Sequence, residues 1–128
     1  PDEARAFHDA APVDCLAVSV GNVHLHTEQA VALDFDLLDE MVAAVHCPLV
    51  LHGGSGVMAA HRARAARTHR VRKINLGTEL RQIHGQALRA TLAHDPDVFD
   101  RIKIQAPVTD ALQAAAEGAL TTAWEAAP

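Results

Sequence analysis

The fold class that the sequence predicts is α/β, built on a parallel sheet. Short apolar runs at Val13 to Val20, Leu49 to Leu51 and Val71 to Leu76 alternate with helical periodicities, the pattern of strands joined by crossover helices. Each run empties into small or polar residues, Gly21-Asn22, His52-Gly53-Gly54 and Asn75-Leu76-Gly77, as strands do at turns. At 128 residues, 49% of them hydrophobic, the chain suits one domain with its own core and is too short for two.

The elements follow in order. Residues 2 to 11 suit a helix, with Pro1 at its start and Asp2 and Glu3 facing the positive end of the dipole. No capping residue and no initiator Met precede it, so the chain is expected to begin partway through something larger. The first strand follows and ends just before His24. Asp34 then caps a second helix, in which Leu38, Met41, Val42 and Val45 share one face. Leu49 to Leu51 make a strand too short and too apolar to be half exposed. An Ala-rich, Arg-studded helix occupies about 58 to 68, the third strand follows, and about 79 to 93 form a helix with Leu80, Ile83, Ala87 and Leu88 inward. Asp95-Pro96 breaks it, Ile102 to Ala106 read as irregular, and Pro107 opens a last helix toward Trp124.

Right-handed crossovers put all three strand ends on one side of the sheet, where His24, His52 and Asn75 are expected to converge. Three parallel strands fit an open sheet or a piece of an eight-stranded barrel, and either leaves both outer strand edges unpaired. Phosphate sites in such barrels tend to follow the last two strands, as the small-residue turns do here.

Charge and composition exclude several classes. A net charge of -5 gives no general electrostatic reason to bind nucleic acid or an anionic membrane, which leaves a small molecule or another subunit as partner. Arg62 to Lys73 holds five arginines and one lysine, but without interleaved aromatics it reads as a solvated helix face or a subunit contact. No apolar stretch reaches the length of a membrane span and the acidic start is unlike a secretory signal, so a cytoplasmic chain is expected. Cys15 and Cys47 lie beside apolar strands and lack C-x-x-C spacing, which favours two buried thiols over a disulfide.

His24 and His52 end adjacent strands about 5 Å apart at the backbone, close enough to share one zinc. His26, two residues beyond His24, competes as the first ligand or joins it. The histidines at 8, 46, 61, 69, 84 and 94 lie on helices or their ends and read as surface or packing residues. Gly53, Gly54 and Gly56 let backbone N–H groups turn inward, and Ser55 adds a hydroxyl: together an anion nest. Asn75, Gly77 and Thr78 offer a second set of donors at a helix start. Lys73 is a conceivable Schiff-base nucleophile, but it sits roughly 7 Å below the strand's end, a poor place to meet substrate.

Four linked motifs carry a resemblance: Val18-Ser19-Val20-Gly21-Asn22-Val23-His24; Leu33-Asp34-Phe35; Pro48 to Val57 through His52-Gly53-Gly54-Ser55-Gly56; and Arg72-Lys73-Ile74-Asn75-Leu76-Gly77-Thr78-Glu79-Leu80. In order and spacing they resemble the class II ketose-bisphosphate aldolases, which include the fructose- and tagatose-bisphosphate enzymes. The resemblance implies a (β/α)8 TIM barrel, with residues 1–128 as the carboxy-terminal part of a single barrel domain, about strands six to eight. It implies zinc, with a monovalent cation as a second candidate, and makes His24 and His52 metal ligands. It assigns Gly53, Gly54, Ser55, Asn75, Leu76, Gly77 and Thr78 to the phosphate end of dihydroxyacetone phosphate.

The implied reaction is reversible aldol cleavage of a ketose 1,6-bisphosphate to dihydroxyacetone phosphate and glyceraldehyde 3-phosphate, in a cytoplasmic homo-oligomer of carbohydrate metabolism. The family's proton-transfer Asp belongs to its first half, so these 128 residues alone are expected to show little or no activity. Leu25 stands where the family usually has Gly, and Met58-Ala59-Ala60-His61 departs from its usual acidic helix start. The alternative is a non-catalytic phosphate-binding or interaction module derived from the aldolase barrel.

Overall fold

The computed structural model describes residues 1–22 and 30–125, the side chains of 68, 124 and 125 excepted. Three short strands, β1 (Leu16–Val18), β2 (Leu49–Leu51) and β3 (Val71–Ile74), form one parallel sheet in the order β1-β2-β3. The helices are α1 (Asp2–Ala10), α2 (Phe35–Ala44), α3 (Ala59–Thr68), α4 (Thr78–His94) and α5 (Arg101–Glu125), with a 3₁₀ turn at Gly54–Gly56.

Central β2 is buried along its whole length, which is why its sequence is an uninterrupted apolar run rather than an alternation. Leu16 and Val18 of β1 stand opposite Leu49 and Leu51, and Leu51 in turn faces Ile74 of β3. Between Leu49 and Val50 the register slips, so that Val71 faces Leu49 while Lys73 faces Val50. Arg72 is the extra residue of this bulge. Around the sheet, Val20, Leu38, Val45 and Val57 are fully buried and belong to the same apolar cluster as β2.

Asp34 starts α2 as its spacing predicts: the carboxylate accepts from the N–H of Leu37 at 2.9 Å. The other end of α2 is closed from a distance. Arg70, just before β3, donates to the carbonyls of Val42, Val45 and His46, satisfying groups that a helix end leaves open.

Several boundaries differ from the sequence reading. β1 is shorter than Val13 to Val20, because the Val20 N–H is taken by Asn22 Oδ1 at 2.7 Å and its carbonyl by the N–H of Asp34 at 2.9 Å, which pulls Val20 out of the ladder. Cys15 precedes β1 and is exposed, so only Cys47 is a buried thiol; both are free. α5 begins at Arg101 rather than at Pro107. Asp100 sets that start, its carboxylate accepting from the N–H of Ile102 at 2.8 Å, and the helix carries Pro107 in its interior at the cost of the bond Pro cannot donate. α4 and α5 then pack as a helical hairpin, and the Leu80, Ile83, Ala87 and Leu88 face of α4 is half-buried.

Candidate functional site

The ends of β1, β2 and β3 face one side, and three turns leave the sheet there. The chain after β2 turns at Gly53, whose backbone is left-handed (φ 64°, ψ 23°), a conformation that disfavours a side chain. Gly54 is held for a different reason: a Cβ there would lie 2.4 Å from Cγ2 of Ile74 and 3.1 Å from the Asn75 carbonyl oxygen. That close approach lets the Gly54 N–H donate to the Asn75 carbonyl at 3.0 Å, while the Asn75 N–H donates to Leu51 at 2.9 Å. The glycine loop and the Asn75 turn are therefore one hydrogen-bonded unit.

His52 is exposed at the end of β2, with the Asn75 amide nitrogen 3.3 Å from its Nδ1. Its carbonyl accepts from Nδ2 of Asn22 at 2.8 Å. Asn22 thus ties the end of β1 to the end of β2, since its Oδ1 already accepts from Val20. Ser55 lies in the 3₁₀ turn with its hydroxyl buried and without a hydrogen-bond partner among the described residues. Buried hydroxyls ordinarily have one. Past Asn75, Gly77 precedes α4 without a side-chain cap, and Arg81 reaches back to donate to Thr78 Oγ1 at 3.2 Å.

His52, Gly53, Gly54, Ser55 and Asn75 thus come together as the sequence predicts, with Leu76, Gly77 and Thr78 leading from Asn75 into α4. His24 and His26 lie outside the described residues. Among the described residues no three of His, Cys, Asp and Glu gather where they could hold a metal ion. His52 fits zinc in kind, as an exposed imidazole at a strand end, but one donor is not a zinc site.

Other sequence-predicted candidates separate from this cluster. Lys73 lines a cleft of about 860 Å³ between α3, β3, α4 and α5, a space that neither His52 nor the glycine loop borders. His61 accepts the Leu33 N–H on its Nδ1 at 2.9 Å, and His69, buried, pairs with Asp39 at 2.9 Å. Arg62 departs from the solvated face expected of its run. It is buried, donating through Nη1 to Glu79 at 2.9 Å and to the Gly54 carbonyl at 3.3 Å. Asn22 had a visible signal, an amide directly after a strand-ending Gly, whereas nothing local distinguishes Arg62 from Arg64 or Arg67.

No described helix is long and apolar enough to cross a membrane. The family model for class-II fructose-bisphosphate aldolase matches residues 1–126. Among solved structures, the crystal structure of the YdjI aldolase from Escherichia coli K12 superposes with a TM-score of 0.69 at 28% identity, covering 95% of this chain. The chain spans 43% of that protein's length, so its three parallel strands and their helices match part of an aldolase barrel. With the family model matched from the first helix to the end of the last, the chain belongs to the class-II fructose-bisphosphate aldolases.

Proposed function

We propose that the chain contributes the zinc ligands and the phosphate site of a metal-dependent aldolase. The reaction is reversible cleavage of a ketose 1,6-bisphosphate to dihydroxyacetone phosphate and glyceraldehyde 3-phosphate. The observation that carries this reading is the fusion of the two turns, in which Gly54 donates to the Asn75 carbonyl at 3.0 Å beside the His52 imidazole. Residues 1–128 are then the carboxy-terminal part of one barrel domain, whose setting is a cytoplasmic homo-oligomer.

In this reading the phosphate of dihydroxyacetone phosphate binds N–H groups of Gly53 and Ser55, on the loop that the Gly54 N–H holds to Asn75, from one side and the turn Asn75-Leu76-Gly77-Thr78 from the other. The buried Ser55 hydroxyl, without a partner among the described residues, supports that assignment. The uncapped start of α4 adds donors and the positive end of a dipole, and Arg81 adds a cation beside Thr78. His24 and His52 would hold zinc, and the chemistry zinc supplies when bound is stabilisation of negative charge developing on the ketone oxygen. Asn22 fixes the backbone at His52, so the imidazole and the phosphate loop keep one spacing and the reacting carbons stay aligned. Proton transfer is assigned to none of these residues.

Equilibrium dialysis with zinc and with dihydroxyacetone phosphate tests the proposal. One zinc per chain, lost in His52→Ala, together with binding of the phosphate ester, is the expected result. Phosphate binding without stoichiometric zinc overturns the enzyme reading in favour of a non-catalytic phosphate-binding module.

A further inference from the structure

A partly buried ion pair stands behind the glycine loop. The Arg62 side chain is 10% exposed and that of Glu79 26%, and their charged atoms are 2.9 Å apart. Desolvating a guanidinium is costly unless its donors are satisfied, and here Nη1 meets both Glu79 and the carbonyl of Gly54. Those two partners belong to different turns. Gly54 opens the loop after β2, and Glu79 lies in the first turn of α4, directly after Asn75-Leu76-Gly77-Thr78. One guanidinium therefore spans both halves of the phosphate cluster.

The direction of the contact matters as much as its strength. A trans peptide sets its C=O and N–H on opposite sides. The Gly54 carbonyl accepts the Val57 N–H at 3.1 Å as well as Arg62, and holding it there turns the Ser55 N–H of the same peptide away, an N–H that makes no backbone bond among the described residues. Arg62 and Glu79 border the cleft between α3, β3, α4 and α5, as Leu76 does, whereas Gly53, Gly54, Ser55 and Asn75 do not. The pair thus acts from the outer layer, with the loop between it and the strand-end side, and Glu79 balances the charge of Arg62.

We propose that Arg62 and Glu79 are positioning residues for anion binding: they lock the glycine loop to the start of α4 and aim the loop's N–H groups, without touching the anion. This inference rests on the phosphate reading above.

The test is calorimetric titration with dihydroxyacetone phosphate, on the protein as its gene encodes it and on Arg62→Met, Glu79→Gln and the double variant. Amide hydrogen exchange is followed in each. Arg62→Met should weaken binding about tenfold, the scale of one charge-assisted hydrogen bond, and Glu79→Gln, which keeps a neutral partner, about threefold. The double variant should be no weaker than Arg62→Met alone, as for residues acting through one contact. Exchange should rise at residues 53–57 and 75–79 while α2 and β2 keep their protection. Unchanged affinity in Arg62→Met, or exchange rising across the whole sheet in both single variants, overturns the inference and leaves the phosphate reading standing. Absence of binding by the unaltered protein overturns the phosphate reading, and the inference with it.

Discussion

Gly54→Ala is the most direct perturbation of the joined turns, because its effect follows from three distances. The new methyl would lie 2.4 Å from Ile74 Cγ2, 3.1 Å from the Asn75 oxygen and 3.2 Å from Leu76 Cδ2. Ile74 is β-branched and stiff at χ1, and the Asn75 oxygen is backbone, so neither yields cheaply. The loop must therefore move, losing the Gly54 N–H to Asn75 bond. Overpacking and one lost hydrogen bond, less the entropy that Ala removes from the unfolded chain, come to about 2–3 kcal/mol of destabilisation. Urea denaturation measures it, and Gly118→Ala is the matched control. Among the described residues nothing beyond the helix's own backbone and Gly118's chain neighbours lies within 4 Å of a Cβ at Gly118, on the exposed side of α5, so there the same change should stabilise by about 0.5–1 kcal/mol. Dihydroxyacetone phosphate binding should fall with Gly54→Ala and stay unchanged with Gly118→Ala. If Gly54→Ala matches the unaltered protein in stability and affinity, the two turns are not coupled as described.

Two further changes probe how α2 is held. Asp34→Ala should cost about 1 kcal/mol in urea denaturation by freeing the Leu37 N–H, and Asp34→Asn, which still caps, should restore most of it. Arg70→Met should cost about 2 kcal/mol by the same measurement, since the carbonyls of Val42, Val45 and His46 lose a charged donor while the side chain's apolar stem is kept.

What was legible in the sequence is what rests on neighbours in the chain. The Asp34 cap, the buried β2 run and the glycine loop at its end are all written in a few consecutive residues, and the structure has them where that local chemistry puts them. Reading Pro107 as a helix start failed because a local rule met a stronger local partner: Asp100 caps the helix seven residues earlier, and an interior Pro costs one bond without stopping a helix of 25 residues. The length of β1 was not legible, since it is decided by Asn22 and by Asp34, fourteen residues beyond Val20.

The arginines of α3 and of the turn into β3 show the limit most clearly. Their spacing makes them look alike, yet Arg62 is buried against Gly54 and Glu79, Arg64 lies 3.7 Å over the Phe35 ring, and Arg70 closes α2. Periodicity sorts residues by helix face, and a face says nothing about what another element presents to it. Glu79 is seventeen residues from Arg62, and Val42 is twenty-eight from Arg70. A guanidinium is long enough to reach backbone carbonyls on a different element and charged enough to make that reach count. In a parallel sheet with crossover helices, where consecutive turns converge in space, a surface-looking Arg run is therefore a natural source of ties between turns. Such ties can position a binding loop without appearing in any motif that defines it.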